Sequence, residues 1–187
     1  MLGLMVRCLH GGPSFMLRII PVHRLDSKFQ FDIVKDCAAC LMKSGADVIG
    51  SITDNHRINQ QFCKLFNTIQ PWKAVHPIDS SKVWYLLYDT VHIMKCIRNN
   101  WLSEKTQQIL YNGRTAKFED VRALYLTERD NILKTTRLTY EYSSVFPNSL
   151  QLQNVDHVLR VFDKRVVAAL RIAGSHETAE FIENILN

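Results

Sequence analysis

Apolar and polar positions follow two periods along the first half of the chain. "LMVRCL" and "FMLRIIPV" are short strand-like runs on either side of the turn residues "HGGPS", which predicts an N-terminal hairpin. Over residues 32–44 the period becomes helical, with Ile33, Val34, Cys37, Ala38 and Leu41 on one side and Gly45 as the stop. "DVIGSIT" is a short buried strand ending at Asp54. Residues 58–66 form a predicted helix with Phe62, Leu65 and Phe66 on its apolar side, and Pro71 ends that region. "KVWYLLY" is a third strand-like run, ending at Asp89 and passing into a helix that carries "TVHIMKCIRNNWL".

The order hairpin, helix, strand, helix, strand, helix is an α/β arrangement, a central sheet covered by helices. Asp54 and Asp89 both stand just beyond strand carboxyl ends, where open α/β sheets place their ligands. Beyond Trp101 the pattern changes. Segments 106–111, 118–133, 153–172 and 175–186 all read as helical, with breaks at Asn112-Gly113 and Phe146-Pro147-Asn148. This places a boundary near residues 101–105 and two expected domains, 1–101 and 102–187.

Composition narrows the class. The chain has 187 residues, 47% of them hydrophobic and 22% charged, enough apolar content for a buried core and too much for disorder. A net charge of +5 is compatible with a polyanionic partner but is also common in proteins that bind none. Five cysteines without framework spacing argue against a secreted disulfide scaffold. The apolar opening is interrupted by Arg7, His10, Gly11-Gly12-Pro13 and Arg18, too soon for a membrane span, so an intracellular soluble protein is expected.

Two stretches carry candidate chemistry. In "SITDNHRIN", Asp54 at a strand end can offer hard oxygen ligands to a divalent cation, or it can simply cap the turn that follows. In "DTVHIMKCIRNN", His92, Lys95 and Arg98 recur every three residues on one helix face. They read either as an anion site or as a structural histidine beside Asp89 with solvated cations. Cys37 and Cys40 form a single CxxC inside a helix and read as core cysteines. No phosphate loop, dinucleotide fingerprint, HExxH or GxSxG elbow is present, so most common enzyme classes have no support.

Taken together, "GADVIGSITDNHRIN" and "YLLYDTVHIMKCIRNNWL" resemble the P-element-type transposases, the group that includes the THAP-domain transposases. The first is similar to that family's strand leading into an aspartate and on to an asparagine. The second is similar to its strand followed by D-x-x-H, a helical lysine and R-N-N. "LTYEYSSVFPNSLQLQNVDHVLRVFDKRVVAAL" resembles the family's insertion domain more weakly. The resemblance implies a partial RNase H-like sheet with flanking helices, followed by the start of a mostly helical, GTP-binding insertion.

It further implies two-metal DNA cleavage and strand transfer in the complete family member, with Mg²⁺ held by three acids. Asp54 matches the second acid, and so is the expected catalytic and metal-binding residue. Asp89, His92, Lys95, Arg98 and Asn99 match the structural motif beside the site. DNA and GTP are the implied partners, the nucleus the implied location, and an oligomer is compatible. The family's first acid lies upstream of the hairpin, its third follows the insertion, and a THAP zinc module precedes the fold. The chain is therefore expected to be a fragment that does not cleave DNA by itself. The alternative is a domesticated, non-catalytic module that binds nucleotide, nucleic acid or a protein.

Overall fold

The computed structural model of the chain describes residues 1–103 and 105–187, which form two compact units, Met1–Asp89 and Thr90–Asn187. The first unit opens with the expected hairpin: β1 (Leu2–Arg7) pairs antiparallel with β2 (Ser14–Ile20) around a turn in which Gly11 and Gly12 take positive φ. α1 (Ser27–Lys43) starts five residues earlier than its apolar stripe, because the Asp26 side chain caps it by accepting from Lys28 N–H at 3.4 Å. It stops at Gly45, whose φ of 88° no other residue adopts as easily.

A four-stranded sheet follows, in the order β3 (Gly50–Thr53), β6 (Val83–Tyr88), β5 (Lys73–Val75), β4 (Thr68–Gln70). β3 and β6 are parallel and the other pairs antiparallel, so the sheet is mixed. β4 and β5 were not foreseen: with three residues each and Pro71 between them, they are too short to show an alternation. β6 shows one clearly. Trp84 and Leu86 point into a core with Ala38, Phe62, Phe66 and Ala74, whereas Val83 and Leu87 lie on the exposed face. α2 (Arg57–Cys63) supplies Phe62, which meets Phe66 edge-on at 5.1 Å, and Phe66 stacks on Trp84 at 5.9 Å. Cys37 is only half-buried and Cys40 is exposed, and neither belongs to this core, so the expectation of core cysteines fails for the CxxC pair.

The second unit is mostly helical: α3 (Thr90–Leu102), α4 (Phe118–Arg129), α5 (Val155–Val161), α6 (Lys164–Ile172) and α7 (His176–Leu186). Short 3₁₀ turns lie at Leu138–Tyr140, Tyr142–Ser144 and Gln151–Gln153. Its core gathers Trp101, Phe118, Leu138, Val158, Val166 and Ile182 among others, and Trp101 meets Phe118 and Phe181 edge-on.

Two helical expectations fail here. Segment 106–111 is not a helix: β7 (Gln108–Tyr111) and β8 (Arg114–Lys117) form a hairpin. Asn112 and Gly113 both take positive φ, the requirement of a tight primed turn, and the Asn-Gly pair was the overlooked signal. Segment 153–172 is two helices, because the Asp163 side chain accepts from Arg165 N–H and starts a new one.

The division at Asp89 is one of contacts and does not test the expected domains 1–101 and 102–187. Among the described residues no helix is long and apolar enough to cross a membrane.

Candidate active site at the carboxyl end of two parallel strands

The pairing of β3 with β6 brings the two candidate acids together. Their register runs Gly50 to Tyr85, Ser51 to Leu86, Ile52 to Leu87 and Thr53 to Tyr88, and one more step places Asp54 beside Asp89. Asp89 N–H donates to Thr53 O at 2.7 Å, so the ladder continues to the acids themselves. The close approach depends on Gly50. A Cβ there would lie 2.4 Å from the Tyr85 carbonyl oxygen, so only glycine lets the strands meet in this register.

Asp54 is half-buried and held by its neighbours. Its Oδ1 accepts from His56 N–H at 2.8 Å and from Asn59 Nδ2 at 2.7 Å. Asn59 Oδ1 in turn accepts from Gln30 Nε2 at 2.7 Å, and Gln30 is a buried residue of α1. A chain of amides thus runs from α1 through α2 to the carboxylate. Sequence reasoning missed Gln30. Its spacing from Val34, Cys37 and Ala38, four, seven and eight residues on, put a polar side chain on the apolar stripe, and that was the available signal. His56 caps α2, its Nδ1 accepting from Ile58 N–H at 3.4 Å.

Beside this, burial pushes the Cys63 thiol above its ordinary range, against the lowering influence of the nearby Tyr88 hydroxyl. Tyr88 is raised too, by burial first and then by the nearby Cys63.

The remaining motif residues lie on α3 in the second unit, where the basic ones are engaged. Lys95 Nζ donates to Gln153 Oε1 at 3.0 Å, Arg98 Nη2 to Leu152 O at 3.0 Å, and Asn99 Nδ2 to the same carbonyl at 3.1 Å. Three consecutive polar positions of one helix face therefore grip the last 3₁₀ turn. Arg98 is 0% exposed, so the expectation of solvated cations is wrong for it: the guanidinium is a buried clamp. Burial alone pushes it down to about 10. His92 is half-buried on the same helix.

Among the described residues no group of three His, Cys, Asp or Glu is arranged to hold a metal ion. The described side chains do not by themselves make up a two-metal set.

No protein-family model matches the chain, and no curated protein is significantly similar to it. A solved structure is similar: the Drosophila P element transposase strand transfer complex, with a TM-score of 0.72 and 17% sequence identity, over 98% of this chain and 46% of that one. The chain thus spans about half the length of that transposase. At this identity the likeness is one of fold. The chain has a P-element-transposase-like α/β fold, a partial RNase H-like sheet with flanking helices followed by a mostly helical subdomain.

Proposed function

We propose that this chain is part of a P-element-like DNA transposase, with residues 1–101 from its RNase H-like catalytic domain and 102–187 from its GTP-binding-type insertion. The observation that carries the reading is the parallel β3–β6 pair, which sets Asp54 and Asp89 side by side at strand carboxyl ends within a fold like that of a DNA strand transfer complex. Asp54 is the carboxylate assigned to chemistry. Asp89 and His92 brace the junction of strand and helix, and Lys95, Arg98 and Asn99 anchor α3. Among the described residues the acids do not make up a metal-binding set.

The test is plasmid cleavage with Mg²⁺ by the full-length gene product containing this chain. Asp54→Asn is expected to abolish cleavage while leaving the circular dichroism spectrum unchanged, and full activity in that variant would remove Asp54 from the chemistry. His92→Ala is expected to lower stability by about 1–3 kcal/mol, the usual cost of a lost buried hydrogen bond. The chain alone is expected not to nick DNA.

One observation favours the second reading, a non-catalytic binding module: Asp54 Oδ1 already serves two donors, as a turn-capping carboxylate would. Cleavage by the full-length protein that is unaffected by Asp54→Asn would favour it. GTP is assigned no site. Of the cations that the sequence offers, Lys134 donates to the Glu128 and Arg129 carbonyls and Arg137 pairs with Asp156 at 3.8 Å.

A further inference from the structure

Asn55 follows Asp54 directly and opens onto a concave surface of the first unit. α2 on one side and the end of β6 on the other enclose an open cavity of about 500 Å³, lined in part by Asn55, Gln60, Lys64, Thr68, Leu86 and Tyr88. That size is within the range of sites for small ligands, about 300–1,000 Å³.

Its lining has a consistent chemistry. Leu86 gives an apolar surface and Tyr88 an aromatic ring. Gln60 Nε2 donates to both the backbone oxygen and Oδ1 of Asn55, at 3.1 and 3.0 Å. The pair is thereby oriented, with Asn55 Nδ2 and Gln60 Oε1 remaining as a donor and an acceptor. Lys64 is exposed and forms no ion pair among the described residues, and no carboxylate lines the cavity. At the rim, Pro71 leads into Trp72, 48% exposed, with Lys73 Nζ 4.3 Å above its ring. Trp72 and Lys73 thus add a second aromatic ring and a second cation directly after the cavity's Pro71.

An apolar ligand would leave the amides and Lys64 unused. A duplex keeps its bases stacked and out of a concave site. A single strand offers what the cavity matches: a base face for Tyr88, a base edge for the Asn55–Gln60 amides and a phosphate for Lys64. We propose that this cavity receives one unpaired nucleotide of a DNA strand, immediately beside Asp54, with Trp72 and Lys73 taking the next along. The inference rests on the DNA-directed reading above and names the form of DNA that the site takes.

The experiment uses the chain as it is, in metal-free buffer, so that cleavage plays no part. Fluorescence anisotropy is measured with a labelled ten-nucleotide single strand and with its duplex, and 2-aminopurine within the single strand reports stacking. The single strand is expected to bind at least tenfold more tightly than the duplex, with 2-aminopurine quenched. Tyr88→Leu is expected to weaken single-strand binding at least fivefold and to relieve the quenching, while Tyr88→Phe retains both. Lys64→Gln, an exposed change, is expected to weaken binding and reduce its salt dependence by about one ion. Equal or tighter duplex binding overturns the proposal, as does parental binding by a folded Tyr88→Leu. If Tyr88→Leu does not fold, parental affinity and salt dependence in Lys64→Gln overturn it. Failure here leaves the Asp54-dependent cleavage test unaffected, and failure of that test leaves this binding result intact.

Discussion

Arg98 is a guanidinium without solvent and, among the described residues, without a counter-ion. Its Nη2 reaches Leu152 O, while Nε and Nη1 are buried with no hydrogen-bond partner. Burying an uncompensated charge costs several kcal/mol, and replacing such a group by an apolar one of similar volume is often neutral or stabilising. Arg98→Met is therefore expected to melt no lower than the parent at pH 7, since Asn99 still holds the Leu152 carbonyl; a thermal melt checks this. The sign of its pH dependence follows from the lowered value. The folded state disfavours the charged form, so its destabilising contribution applies below about 10 and is relieved as pH rises through it.

Glu141 has the opposite sense. The Ser143 hydroxyl first, then His157, holds its carboxyl below the ordinary value of 4.5, so its stabilising contribution is present above that pH and lost as pH falls through the folded value. Glu141→Gln is expected to be less stable than the parent above about pH 4.5, so that acid unfolding begins earlier, and to lose stability less steeply as pH falls further, read by circular dichroism between pH 5 and 2.

At the scale of elements, β3 stands on Gly50. Gly50→Ala forces a methyl against the Tyr85 carbonyl, and overpacking of this kind typically costs about 1–3 kcal/mol. A denaturant titration is expected to show a loss in that range, and parental stability would mean that the strands have room to part. The β7–β8 turn is sensitive in another way. Gly113 has a φ of 75°, so Gly113→Val is expected to destabilise the hairpin, whereas Asn112→Gly is expected to be tolerated.

Elements with a full period were legible in the sequence: α1, α3, β6 and the N-terminal hairpin all carry enough residues to show one. The short strands β4 and β5 do not, and segment 106–111 was misread because six residues fit either period. Asp54 and Asp89 could be placed at strand ends from the apolar runs before them. Their juxtaposition could not, because it depends on which strands pair, and neither could the route from Gln30 through Asn59, because it joins residues 29 apart.

Over the whole molecule, apolar surface is unevenly distributed. In the N-terminal hairpin Met5, Phe15, Met16 and Ile19 are all exposed, and strands of this kind recruit other chains. The chain is expected to elute from a sizing column as associated species at high concentration, and Phe15→Lys with Ile19→Lys is expected to shift the profile toward monomer. GTP is expected to bind the chain more weakly than about 0.1 mM, roughly −5.5 kcal/mol, by calorimetry.

The grip of α3 has a further consequence, for how such a molecule tolerates change. Arg98 and Asn99 hold a carbonyl oxygen, which every amino acid at position 152 supplies, so the contact demands nothing of the Leu152 side chain. Position 152 is thus expected to vary without cost to the contact, while Asn99, which holds the carbonyl even where Arg98 is replaced, is the position it constrains, and the pairing leaves no correlated substitution by which a comparison of sequences would detect it.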